Sequence, residues 1–165
     1  MTITLITSFL RDELQMSTAV NAVNNDPYDL ARFVSAQNNS FDQAFAEVKN
    51  GRKSSHWMWY IFPQLRGLGR SSMSQYYGIS GAKEASAYLN HDLLGSRLIA
   101  ICEAFLSVEG RSATDIFGKP DDMKLLSCAT LFAYVAGADS IFDKILEKYY
   151  DDGVDQRTVQ LLQNP

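Results

Sequence analysis

The stretch SSHWMWYIFPQLRGLGRSSMSQYY, Ser54 to Tyr77, gathers the side chains best equipped for chemistry. His56 can move a proton or donate to an anion. Trp57, Trp59 and Tyr77 offer faces on which a flat ring can stack. Arg66 and Arg70 can each grip a phosphate or carboxylate at two points. Gly67 and Gly69 let backbone amides approach a ligand, Ser71 adds a hydroxyl donor, and Gln64 adds an amide. Together these suit a ligand that is flat at one end and anionic at the other, as nucleotides and their ribose derivatives are. The arginine–glycine run is not a P-loop, because the closing Gly-Lys-Ser/Thr is missing. It is not a dinucleotide fingerprint either, because Gly-x-Gly-x-x-Gly after a strand is missing. Ser71 lies outside any Gly-x-Ser-x-Gly elbow, which argues against acyl transfer.

Each residue also has a plain structural reading. Both tryptophans can be core anchors, His56 a packing residue, and the loop a solvated turn. With His91 as the only other histidine and no ligand spacing around either, no metal is expected. Nothing in the sequence calls for a cofactor, and no reaction is assigned.

The elements that would position this stretch read as helices. Asp26-Pro27 suits a helix start, and Leu30, Phe33, Val34 and Gln37 then share a face. Ser40-x-x-Gln43 has capping-box spacing, and Gly51 stops that helix. Trp57 to Phe62 is ambiguous, but Ser54 or Ser55 as a cap favours a helix ended by Pro63. Such a helix turns His56, Trp59, Tyr60 and Pro63 one way and Trp57, Ile61 and Gln64 the other. Ser80 and Asp92 are expected to cap the next two helices. Ser112 to Phe117 reads as one short turn. Pro120 opens a helix apolar on most sides, and it stops at Gly137. Ile141 to Tyr149 and Thr158 to Gln163 follow. The fold class is all-α, a compact orthogonal bundle of about seven short helices. Residues 26–165 form a single α-helical domain, and residues 1–25 a poorly specified N-terminal extension.

The chain has 165 residues and a net charge of −4, which argues against broad nucleic-acid binding. The charge is unevenly placed. Val48 to Lys83 holds six basic residues and no acid, while the rest of the chain carries −10. A basic island in an acidic chain suits a local anion site, the alternative being an ordinary solvated face. Two cysteines, Cys102 and Cys128, read as buried free thiols. No run is long and apolar enough to span a membrane. The start lacks a basic leader and a small-residue cleavage site, so the chain is expected in the cytoplasm, with Met1 or Met16 as the start.

Four blocks carry a family resemblance: DPYDLARFVSAQ, GRKSSHWMWYIFPQLRGLGRSSMSQYYGIS, ASAYLNHDLLGSRL and DIFGKPDDMKLLSCATLF. Over Asp26 to about Gln163 the chain resembles the bacterial domain of unknown function 1810 family, with SHWMWYIFPQ the most specific block. Members are sometimes labelled calpastatin, but nothing here resembles a disordered, repeat-built inhibitor. The resemblance implies a mainly helical single domain without an established activity. Its signature falls on Ser55, His56, Trp57, Trp59, Phe62, Pro63, Gln64, Gly67, Gly69, Tyr77 and Ile79, and later on Phe117, Gly118, Asp122, Lys124, Ser127, Thr130 and Phe132. His91-Asp92 departs from the family's usual His-Pro. In the second block, Lys124, Ser127 and Thr130 can share a polar flank that completes a pocket, or the hydroxyls can bond back to their own helix.

Two functions compete. The first is binding of a nucleotide-like or other phosphorylated small molecule, with hydrolase or transferase chemistry left open. His56 is then the acid–base candidate, and Trp57, Trp59, Gln64, Arg66, Gly67, Gly69, Arg70, Ser71, Tyr77 and Lys124 the binding set. The alternative is a non-catalytic protein-interaction adaptor of unknown partner.

Overall fold

Apolar residues at helical spacing give ten helices among residues 25–164, which the computed structural model describes. They are α1 Ala31–Asn38, α2 Phe41–Lys49, α3 Met58–Ile61, α4 Ser72–Tyr76, α5 Ala82–Asn90, α6 Asp92–Leu106, α7 Ala113–Phe117, α8 Asp121–Ala136, α9 Ile141–Tyr150 and α10 Gln156–Gln163. The all-α expectation holds. The count exceeds seven because single turns are counted, α3 and α7 as read and α4, which gave no apolar period to read. The chain divides after Ala31 into two units. In the first, the Asp26 carboxylate accepts from the amides of Leu30 and Ala31 at 2.8 and 2.9 Å. Asp26 thus caps as expected of its side chain, but the helix begins at Ala31 rather than after Pro27.

The fold from Arg32 onward is built around α8, which packs against α5, α7, α9 and α10. Leu125, Cys128, Ala129, Leu131 and Phe132 are all buried, as a helix apolar on most sides requires. Two aromatic clusters form the core. Phe33, Tyr88, Phe132 and Phe142 make one, with successive ring centroids 5.0 to 5.5 Å apart. Trp57, Phe62, Phe117, Phe105 and Tyr149 make the other, where Phe105 and Tyr149 stack at 4.0 Å. Such contacts prefer tilted or offset rings, because the ring edges are positive and the faces negative.

Several caps differ from their sequence reading. The N-cap of α6 is His91, whose Nδ1 accepts from the amides of Leu93 and Leu94 at 3.3 Å, and Asp92 is the first helical residue. The family's usual proline would fall on that first position, where its missing N–H costs nothing. Ser80 does not cap α5. Its amide instead donates to Glu84 Oε2 at 2.8 Å, and Gly81 is the N-cap. Ser40 starts α2 without a capping box, its hydroxyl donating back to Ala36 O at 2.8 Å. Full capping boxes form at Ser112–Asp115 and Ser140–Asp143.

A further link positions the region of interest. Leu65 and Ile79 form an isolated parallel bridge, Arg66 N donating to Ile79 O and Ile79 N to Gln64 O at 2.8 and 2.9 Å. It ties the segment after α3 to the segment after α4. Cys102 and Cys128 are free and buried, and burial pushes both thiols up from the ordinary value. Among the described residues no helix is long and apolar enough to cross a membrane.

Candidate functional site

The segment from Ser54 to Gln64 is held from beneath by Glu47 of α2. Its Oε2 accepts from the amides of Ser54 and Ser55 at 2.8 and 3.1 Å and from the Trp57 indole at 2.9 Å. Its Oε1 accepts from the Ser55 hydroxyl at 2.6 Å and from Gln43 at 3.2 Å. Burial opposes this charge, but the donors from Ser54, Ser55 and Trp57 outweigh it and hold the carboxyl at about 2. Ser54 and Ser55 are therefore not the helix caps that the sequence suggested. Their amides are spent on Glu47, and α3 starts later, after Trp57.

With Trp57 pinned, Met58, Ile61 and Phe62 drop into the core at 1% exposure each. Gln37 of α1 donates to Tyr60 O at 2.8 Å and fixes the other end of the turn. Trp59 and Tyr60 are left half-buried on the outer side. Gln64 leaves the Trp57 side where the period had put it, because the helix ends at Ile61 and Pro63 redirects the chain.

Trp59, Gln64, Tyr77 and Lys124 converge on one cleft, floored by Met58 and Phe62. Lys124 Nζ lies 4.9 Å from the Trp59 ring and 2.8 Å from Asp121 Oδ1. Asp121 also pairs with Lys53 at 2.8 Å, and Lys53 Nζ sits 5.1 Å over Trp57. Two lysines thus share one aspartate, each over a different indole. Burial opposes the Asp121 charge, but hydrogen bonds from Lys124 and Lys53 hold its carboxyl below the ordinary value. Tyr77 is braced by Phe33, Tyr60 and Tyr76, with centroids 5.7, 5.2 and 4.8 Å away. Burial first, then the neighbouring phenols of Tyr76 and Tyr60, raise its hydroxyl.

The Tyr77 wall rests on a buried ion pair absent from the sequence reading. Arg32 of α1 bonds Glu84 of α5 at 2.6 Å, with side chains only 5% and 3% exposed. Its Nε also donates to Tyr76 O at 3.0 Å and its Nη2 to Gly78 O at 3.4 Å. Gly78 is required by close approach, since an added Cβ would lie 2.8 Å from Arg66 Cα. Arg66 itself is exposed and donates to Gly78 O at 3.3 Å, which puts it one residue beyond the cleft wall.

Other residues of the predicted set do not reach the cleft. His56 is exposed, and its carbonyl accepts from the Tyr60 hydroxyl at 3.4 Å. Trp57 is buried at 1% exposure. Gly67 forms a turn at φ +97°, and Gly69 packs on Ser74, 2.7 Å from where its Cβ would be. Ser71 caps α4 through Ser74 N at 3.1 Å, and Arg70 is exposed. Ser127 and Thr130 bond back to Met123 O and Leu126 O at 3.1 and 2.8 Å. Ser127 shares its one hydroxyl proton with Asp155 Oδ2 at 2.8 Å, and Thr130 accepts from Asp155 N at 2.9 Å, so both tie the start of α10 and stay out of this cleft, Thr130 lining a separate groove beside α10.

The cleft's free volume is about 10 Å³, room for about one water molecule. No histidine, cysteine or carboxylate lines it. Its groups can stack, hydrogen-bond and neutralise an anion. Among the described residues no cluster of His, Cys, Asp or Glu is arranged to hold a metal.

The sequence profile of a family described as "Protein of unknown function (DUF1810)" matches residues 27–162. The chain belongs to that family. The DUF1810 fold is also that of the conserved hypothetical protein Rv1873 from Mycobacterium tuberculosis, solved as a crystal structure at 1.38 Å. The two chains are 52% identical with a TM-score of 0.82, over 84% of this chain and 99% of that one. No curated protein matches. Within this region the candidate residues fall into two groups. Ser55 and Trp57 meet Glu47, whereas Trp59, Gln64, Tyr77 and Lys124 face the opening.

Proposed function

We propose that this DUF1810 protein binds a small, flat, anion-bearing molecule, nucleotide-like or otherwise phosphorylated, at the cleft between α3 and α8, in the cytoplasm. The observation that carries the reading is the convergence of Trp59, Tyr77, Gln64 and Lys124 from three parts of the chain. Trp59 and Tyr77 give a ring its stacking faces, Gln64 gives its edge an amide, and Lys124 meets the anion. Arg66 extends the positive charge past Gly78. Lys53, which shares Asp121 with Lys124, adds positive charge beside the cleft.

The small free volume gives Lys124 a second part. Its side chain lies over the Trp59 ring and closes the space a ligand ring would take. A ligand anion draws the ammonium outward, against its pairing with Asp121, and bares the indole. Binding is then accompanied by a Lys124 rotation. His56 takes no part in this reading, and no reaction is assigned to the cleft.

The test is calorimetric titration of the full chain with ATP, ADP-ribose, NAD, a sugar phosphate and inorganic phosphate. At least one organic phosphate should bind, and Trp59→Ala and Lys124→Ala should each lose that binding while keeping the wild-type melting temperature within a few degrees. A panel without binding, or a ligand that binds both variants as it binds wild type, overturns the reading.

A further inference from the structure

A second surface, independent of the cleft, is built from the C-terminal third of the chain. The end of α8, the inner side of α9 and the face of α10 leave an open groove of about 400 Å³. Ala133, Tyr134, Leu146, Val154, Val159 and Leu162 line most of it. Tyr134 is 61% exposed and Val154 38%, the first a large ring left in water. A concave apolar lining with an exposed ring at its edge is the shape on which the apolar face of an amphipathic helix can seat.

Its charge is one-sided. The loop 137–140 that closes one end carries Asp139, and the loop 151–155 that supplies Val154 carries Asp151, Asp152 and Asp155, with no basic residue in either. Asp143, the one charged residue in the lining, is also acidic. Asp139, Asp151 and Asp152 adopt left-handed backbone at φ 62°, 50° and 61°. Glycine makes such turns at lower cost, yet each position here brings a carboxylate. Asp143 and Asp155 are used in caps at Ser140 and Thr158, while Asp139, Asp151 and Asp152 stand exposed. The C-terminus of α8 at Gly137 adds its partial negative charge to the groove edge, and no basic residue lies in its last turn to offset it. Three aspartates, Asp139, Asp151 and Asp152, and one base, Arg157, flank the groove outside its lining, so the flank is acidic on balance. Lys144 lines a different groove, and Lys148 bonds Glu109 and the end of α6.

We infer that this groove docks a basic amphipathic helix of a partner protein, its apolar side chains seated against Tyr134, Val154 and Leu162 and its lysines or arginines against Asp139, Asp151 and Asp152. This is helix-in-groove recognition, with the apolar contact giving affinity and the aspartates giving partner choice and approach. A second, more neutral groove between α6 and α9 has both Glu103 and Lys144 in its lining and lacks that bias.

The probe is a labelled peptide of about fourteen residues, leucines on one helical face and lysines on the other, titrated into the full chain by fluorescence polarisation. Controls are a peptide with glutamates for the lysines and one with serines for the leucines. The lysine–leucine peptide should bind and weaken with salt, and both controls should fail. Asp139→Lys combined with Asp152→Lys, and separately Tyr134→Ser, should each weaken it about tenfold or more with unchanged melting temperature. Amide shift changes should cluster at residues 130–138 and 152–162. Equal binding of the serine control reduces the effect to nonspecific charge attraction and overturns the inference. So does binding unchanged in both variants, or absent altogether. Concentration-dependent self-association lost in the same variants also overturns it, since the occupant is then a second copy of this chain.

Discussion

Trp57 and Trp59 stand two residues apart and have opposite environments. Trp57 is sealed in the core, its indole N–H held by the Glu47 carboxylate and its ring against Phe62 and Phe117. Trp59 is half-buried on a narrow cleft, with Lys124 across its face. The two indoles even have matching cations, Lys53 and Lys124, joined through Asp121. What separates them is the carboxylate below. Glu47 consumes the donors of Ser54, Ser55 and Trp57, so the turn of helix that follows must present Trp59 outward. The difference teaches that the segment from Ser54 to Gln64 holds two devices, a structural brace and a partly exposed face.

The largest effect should come from breaking the support of the open face. Arg32→Met leaves Glu84 buried without its cation and frees the carbonyls of Tyr76 and Gly78, costing about 3–5 kcal/mol in chemical denaturation. Trp57→Ala and Trp59→Ala sharpen the contrast directly. The first should cost about 3–5 kcal/mol. The second should cost about 1–2 kcal/mol, less than the first because Trp59 is only half-buried and its ring is covered by Lys124.

Glu47→Gln comes next, at about 2 kcal/mol, because a neutral amide offers one acceptor where the carboxylate offered two. It also carries a pH signature. A carboxyl held at about 2 when folded and near 4.5 when unfolded contributes stability above pH 4.5, and that contribution is lost as pH falls from 4.5 toward 2. Acid titration of stability should be flatter over that window in Glu47→Gln than in wild type. A parallel pair of curves would mean that Glu47 is not the anchor.

Smaller effects bound the rest. His91→Ala should cost about 1 kcal/mol by removing the α6 cap, and His91→Asn should recover most of it. His56→Ala should change stability by no more than about 0.5 kcal/mol and leave ligand binding intact.

Much of the fold was legible because helical periodicity is a local signal. The α8 face and the Gly51 and Gly137 stops could be read from spacing, which also put Trp57 and Trp59 on opposite sides without saying which of them faces out. The back-bonding of Ser127 and Thr130 was among the readings the sequence left open, and the structure takes it. Long-range polar partners were not legible. Glu47 looks like any surface glutamate of an amphipathic helix, and its partners lie seven to ten residues on in a loop without a period. Arg32 and Glu84 are 52 positions apart, and nothing local marks them as a pair. Ser54, Ser55, Ser80 and Asp92 were misread as caps because cap propensity names the residue type, while competing acceptors and donors decide where the helix begins. At the cleft, sequence supplied the members Trp59, Gln64, Tyr77 and Lys124. It could not separate them from Ser71 and Gly69, whose side-chain and backbone contacts serve α4.

The most direct measurement uses the two indole N–H signals in a proton–nitrogen correlation spectrum of the full chain, followed as ADP-ribose or ATP is added. The account predicts that Trp59 shifts in a saturable way while Trp57 stays fixed and exchanges slowly with deuterated solvent. A fixed Trp59 with every phosphate tried, or a moving Trp57, would contradict the division of this segment into brace and binding face.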